Sequence, residues 1–270
     1  MTLMKDIHKI LNEPEDIERA LEYALKNPLK NAIIISNLTQ LKADCSSTIL
    51  QTGENEYAVG SFYMDLPFNN IAFMAEKPSE VKELVEQFAA RHPQLKEGPV
   101  YGLYDAQTLK LVEANFRVTN KTKELQMAVD PDDVPDVPYD KSRYRLEKLT
   151  VQDIVQISHL YSLVPAMAWT PKALTFGPYY GLYCDEHLVS IAGVHFQTRW
   201  TSEVGNIVTH FKHRRQNLAY ICTRAVINNL KAHSDNIFLC VIADNHSAIK
   251  LYEKMGFVKT DELFLTQFYI

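Results

Sequence analysis

The sequence predicts a mixed α/β fold built in two halves, and three observations carry that expectation. Strand-like and helix-like patterns alternate along the 270 residues instead of repeating one period. Residues 237–243 form an unbroken apolar run, typical of a strand covered on both faces, and it follows an amphipathic helix. Residues 130–140 pack three prolines and five aspartates into eleven positions, which disfavours helix, disrupts sheet ladders and repels itself. That stretch reads as a linker, 130–140, between domains at 1–129 and 141–270, each near the commonest domain size.

In the first half, 14–26 and 78–91 carry apolar residues at three- and four-residue spacing behind acidic starts, predicting helices. Strand patterns fall at 47–51, 57–64, 70–74 and 124–129. In the second half, strands are predicted at 144–148, 181–184, 188–198 and 203–209, with a helix over 153–161 and a tight turn at Asp185-Glu186. A helix over 218–233 aligns Ala219, Cys222, Ala225, Val226 and Leu230 on one stripe, and the strand at 237–243 completes a right-handed crossover. A short helix over 247–255 ends at Gly256, and a last strand starts at Leu263.

The formal net charge of −5 offers no attraction to phosphate polymers or anionic lipid, so neither nucleic acid nor a membrane is an expected partner. No window approaches the ~18 uninterrupted apolar residues of a membrane span, and acidic groups interrupt the opening residues. A soluble, cytoplasmic protein acting on a small molecule or protein partner is expected. Cys45, Cys184, Cys222 and Cys240 lie far apart with no C-x-x-C, predicting free thiols and no metal site. Glycosylation-type triplets at Asn37, Asn120 and Asn245 are set aside because that chemistry needs a secretory route.

Between the strand ending at Thr209 and the helix starting near Leu218 lies a turn reading His-Phe-Lys-His-Arg-Arg-Gln-Asn-Leu-Ala. Helix N-terminal amides lack intrahelical partners and sit at the positive end of the dipole, so they suit a pyrophosphate, with Arg214 and Arg215 adding charge. On this feature alone, a solvated basic loop is the competing reading. The run Arg214-Arg215-Gln216-Asn217-Leu218-Ala219 resembles the Arg/Gln-x-x-Gly-x-Gly/Ala signature of the GNAT superfamily of acyl-CoA N-acyltransferases. It departs where Asn217 replaces the central glycine, and asparagine enters the left-handed region at modest cost. Residues 241–257, with Asn245, Ala248 and Leu251-Tyr252-Glu253 before Gly256-Phe257, resemble a second segment of that superfamily.

The resemblance implies a GNAT-like fold over 141–270 and transfer of an acyl group, most simply from acetyl-CoA, to an amine. It implies that Arg214, Arg215, Gln216, Asn217, Leu218 and Ala219 hold the cofactor phosphates, and that the backbone of Ile207, Val208 and Thr209 holds the pantetheine arm and the oxyanion. Asn245 and Ala248 are implied as further cofactor contacts, with a helix N-cap as the competing role for Asn245. Tyr252 matches the general acid that protonates the leaving thiolate. Glu203, eleven residues ahead of Arg214, is the candidate general base, against a plain strand glutamate. His195, His210 and His213 read as packing or surface groups. A non-catalytic acyl-CoA-binding sensor or scaffold is the alternative that Asn217 keeps open. Small amines, amino acids, peptides and protein amines all remain acceptor candidates, and the oligomeric state is open.

Residues 108–116 echo 248–257 in sharing Lys-Leu-x-Glu, with Val112 standing where Tyr252 stands. The stretch before the preceding helix, Ala-Glu-Lys-Pro-Ser-Glu-Val at 75–81, has no basic turn. The first half is therefore expected to be a degenerate GNAT-like α/β domain without cofactor chemistry that helps shape the acceptor pocket, in a layout similar to glycine N-acyltransferase-like proteins. The alternative is an unrelated α/β domain.

Overall fold

The computed structural model describes residues 9–11, 13–166 and 168–270. Its strands are β1 (Lys9–Leu11), β2 (Cys45–Gln51), β3 (Tyr57–Tyr63), β4 (Ala72–Met74), β5 (Val100–Asp105), β6 (Arg117–Val129), β7 (Tyr144–Lys148), β8 (Tyr180–Cys184), β9 (His187–Gln197), β10 (Thr201–Thr209), β11 (Asn236–Ile242) and β12 (Val258–Tyr269). Its helices are α1 (Pro14–Ala24), α2 (Ala32–Leu38), α3 (Pro78–Arg91), α4 (Ala106–Glu113), α5 (Ile154–Leu163), α6 (Leu218–Leu230) and α7 (His246–Lys254). The fold is mixed α/β, as the alternating pattern predicts. Sequence periodicity missed α2 and β5, which are short, and understated β6, whose exposed first half carries a polar pattern.

The chain forms two compact units, Met1–Glu124 with Asp261–Ile270, and Leu125–Thr260. This division differs from the predicted boundaries at two strands. The end of β6 belongs to the second unit and the end of β12 to the first. The reason lies in pairing and packing: β12 runs antiparallel to β5 from Leu263↔Asp105 to Phe268↔Val100. Phe268 is fully buried in the first unit's core with Leu84, Phe88, Val100 and Tyr104.

The first unit holds the antiparallel meander β1-β2-β3-β4, covered by α1, α2 and α3. After β4 its elements follow the order α3, β5, α4, β6, matching the order α6, β11, α7, β12 after β10. The second unit arranges β11, β10, β9, β8 and β7 side by side, with the end of β6 next to β11. Helix α6 packs on β8, β9 and β10, and α5 packs on β9.

The aspartate-proline stretch is strapped down within the second unit. The Tyr220 hydroxyl donates to the Pro135 carbonyl at 2.8 Å, Asp136 pairs with Arg224, and Asp132 pairs with Lys231. Two contacts from α6 and one from Lys231 just past its end thus hold a segment whose composition reads as a linker. Gly256 closes α7 at φ +93, the left-handed conformation that its role as a helix stop requires. No described helix is long and apolar enough to cross a membrane.

Candidate active site

Strand β10 organises the site. It pairs antiparallel with β9 along one edge and parallel with β11 along the other, from Thr201↔Asn236 to Glu203↔Phe238. Past Glu203 both strands continue, β10 to Thr209 and β11 to Ile242, without further pairing between them among the described residues. Residues 204–209 therefore present backbone groups on one side to an added extended partner.

The β9–β10 ladder is irregular at the same place. Its register shifts between Glu203 and Val204, where His195 is the extra residue, and between Gly205 and Val208, where Asn206 takes φ 53. Bulges bend a strand and re-aim its side chains. The second is bolted in place: the Tyr161 hydroxyl donates to the Asn206 carbonyl at 2.7 Å, and Asn206 Nδ2 donates to the Tyr179 hydroxyl at 2.8 Å. Tyr179 in turn donates to the Val194 carbonyl at 2.8 Å. Gly205 is needed opposite the first bulge, because a Cβ there would stand 2.2 Å from His195 Nε2. Burial of the His195 ring pulls its pKa down to about 4, so it is neutral at pH 7.

Glu203 lies where β10 and β11 part. It is 8% exposed, and its in-register neighbours are Phe196 on β9 and Phe238 on β11, whose ring centroids are 6.1 Å apart. Burial beside this aromatic pair raises its pKa to about 7, partly offset by a hydrogen bond from Cys240. Such a carboxyl exchanges a proton near neutrality.

The turn before α6 passes through the left-handed region twice. Asn217 sits at φ 59 in the left-handed region, and Arg215 at φ 61. Asn217 makes no side-chain cap, and the first intrahelical bond is from the Ile221 amide to the Asn217 carbonyl. The amides of Leu218, Ala219 and Tyr220 thus precede the helix ladder, at the positive end of the dipole. Arg214 and Arg215 are exposed, and Arg214 Nε donates to the Thr209 carbonyl at 3.3 Å. Gln216 points elsewhere: its side-chain oxygen accepts from the Tyr144 hydroxyl at 2.9 Å, and Tyr144 also lies 3.1 Å from His213 Nδ1. Burial together with His210, Arg143 and Lys212 depresses the His213 pKa, the mark of an electropositive surface.

Tyr252 is buried on α7 with its ring 5.8 Å from that of Phe257, and burial raises its pKa to about 12. No hydrogen bond joins it to Glu203 among the described residues. Asn245 takes the N-cap geometry, its side-chain oxygen accepting from the Ala248 amide at 3.2 Å and the Ser247 hydroxyl at 3.0 Å. Ile207, Val208 and Thr209 lie beyond the last β10–β11 pair, and the Val208 carbonyl also accepts from the Ser190 hydroxyl at 3.3 Å. Sequence reasoning missed Asn206, Tyr161, Tyr179 and Tyr144. Only an asparagine between Gly205 and Ile207 in β10 hinted at the bulge. Among the described residues no cluster of His, Cys, Asp and Glu could hold a metal ion.

The strand order, the parting of β10 from β11 and the left-handed turn into α6 define a GNAT fold. Similar solved structures include a Drosophila protein, 15% identical with a TM-score of 0.72 over 98% of this chain and 99% of that one. A GCN5-related N-acetyltransferase from Sphaerobacter thermophilus is 13% identical, with a TM-score of 0.68 over 97% of this chain and 96% of its own. A tandem GNAT protein from the clavulanic acid biosynthesis pathway is 12% identical, with a TM-score of 0.66 over 97% and 98%. Residues 179–265 match the FR47-like protein family. The family match covers residues 179–265, and the shared GNAT fold extends over nearly the whole chain. No curated protein matches the sequence.

Proposed function

We propose that this chain is an acyl-CoA-dependent N-acyltransferase, with acetyl-CoA as donor and the amine of a small molecule, amino acid or peptide as acceptor. The observation that carries the reading is the pairing of a left-handed, uncapped entry to α6 with a parted β10–β11 edge in the same unit. An extended arm ending in a pyrophosphate fits both: backbone groups of Ile207, Val208 and Thr209 would pair with the amide-bearing arm. The amides of Leu218 and Ala219 with Arg214 and Arg215 would take the phosphates. The donor supplies a thioester carbonyl activated for attack.

The chain's own residues then handle protons. Glu203, with a pKa near 7, accepts one proton from the acceptor nitrogen, directly or through water. The amine forms its bond to the carbonyl carbon as the carbon–sulfur bond breaks, and Tyr252 returns one proton to the departing thiolate. Glu203 and Tyr252 then exchange the proton through solvent, so the products are an amide and a free thiol. Asn245 and Ala248 support the arm through the first turn of α7, and Gln216 supports the turn by its bond to Tyr144.

In the first unit the equivalent entry is closed. The Glu80 carboxylate accepts from the amides of Glu76 at 2.8 Å and Lys77 at 3.1 Å ahead of α3, and Val112 stands where Tyr252 stands. We read it as a degenerate copy without cofactor chemistry.

Calorimetric titration of acetyl-CoA into the intact protein, beside an Arg214→Glu/Arg215→Glu variant, tests the reading. Saturable binding lost in the variant supports it, and release of free thiol with a panel of amines separates the enzyme from an acyl-CoA-binding scaffold. Absence of binding at millimolar acetyl-CoA would sink it.

A further inference from the structure

A carboxyl that serves as base must be held in one place and must still ionise near neutrality. Glu203 is desolvated by Phe196 on one side and Phe238 on the other, so some donor has to offset part of that burial. The donor comes from β11. Phe238 is in register with Glu203, and side chains alternate along a strand, so Cys240 is the next residue on that same face toward the opening between the strands.

We propose that Cys240 is the positioning residue of this site: its thiol hydrogen-bonds the Glu203 carboxylate and holds it where β10 and β11 part. The assignment rests on the reading of Glu203 as the base. Several other titratable side chains on the elements around β10 have neighbours of their own. His195 of β9 lies against Gly205, and Tyr161 of α5 bonds the Asn206 carbonyl. On α6, Tyr220 bonds Pro135, Cys222 bonds Ser190 and Arg224 pairs with Asp136. The choice of a thiol has a chemical logic. It is a weak donor, so it orients the carboxylate and restores part of its charge without locking it ionised, as an arginine would.

The test is a pH titration of Glu203 in the intact protein by NMR of 13Cδ-labelled glutamate, with Glu203→Gln assigning the signal. Removing a donor to the charged form raises a carboxyl pKa, so Cys240→Ala should move the Glu203 midpoint up by about half a unit or more. Cys240→Ser, which supplies a stronger hydroxyl donor, should hold it at or below the wild-type value. Should the alanine variant fail to fold, Cys240→Val against Cys240→Ser decides in its place. A midpoint that is the same with and without a donor at position 240 overturns the proposal. In transfer assays with acetyl-CoA, the pH profile of kcat should move with the midpoint while KM for acetyl-CoA stays put. Because the NMR titration needs no turnover, it decides the role of Cys240 even where the acyltransferase reading fails.

Discussion

The Tyr161 hydroxyl donates to the main-chain carbonyl of Asn206 at 2.7 Å, inside the second unit and fully within the protein interior. This one bond ties helix α5 to the residue whose left-handed backbone makes the bulge in β10. Tyr161→Phe removes the donor and leaves a buried carbonyl unpaired, so we expect a loss of about 1–3 kcal/mol. Urea denaturation of both proteins measures it, and a loss within error of zero would mean that water replaces the hydroxyl.

Asn217 carries a related prediction with the opposite sign. Left-handed backbone costs an ordinary side chain about 1–2 kcal/mol, asparagine less and glycine nothing. With Asn217 at φ 59, Asn217→Gly should be neutral or slightly stabilising and should retain or tighten acetyl-CoA binding. Asn217→Val should lower the thermal midpoint and weaken binding. Equal behaviour of the two variants in calorimetry would show that the turn's conformation is irrelevant to the ligand.

Glu203 should leave a signature in the pH dependence of stability. Its carboxyl goes from an ordinary value of 4.5 to about 7 on folding, so between these pH values the folded state binds more protons than the unfolded state. Stability therefore falls as pH rises through that window and levels off above about 7, by an amount on the order of 3 kcal/mol. Glu203→Gln should flatten this slope in denaturation series run from pH 4 to 8. The same ionisation should appear as the acidic limb of the activity profile, with transfer rising as pH passes about 7.

At the other end of β12, Phe268 is fully buried among residues of the first unit. Truncating a large buried aromatic side chain costs about 3–5 kcal/mol. Phe268→Ala should accordingly destabilise the first unit, read by hydrogen exchange at β5 and α3. Exchange that changes around β8 and β9 instead would refute the assignment of Asp261–Ile270 to that unit.

The sequence by itself determined most of the local elements. Alternating and helical periods depend on neighbours within a few residues, which is why α3 and β7 are found where their patterns lie. The basic turn before α6 was legible for the same reason, and so was Asn217's capacity for a left-handed conformation. Only the tertiary structure decided what joins residues distant in the chain. The bulge at Asn206 depends on Tyr161 and Tyr179, which bond it from 45 and 27 residues away. The pKa of Glu203 depends on Phe196, Phe238 and Cys240, set by strand register. The end of β12 belongs to the first unit because its apolar face finds β5 and the core around Phe88 there. Register, desolvation and long-range pairing are collective properties of the packed chain, and no window of sequence contains them.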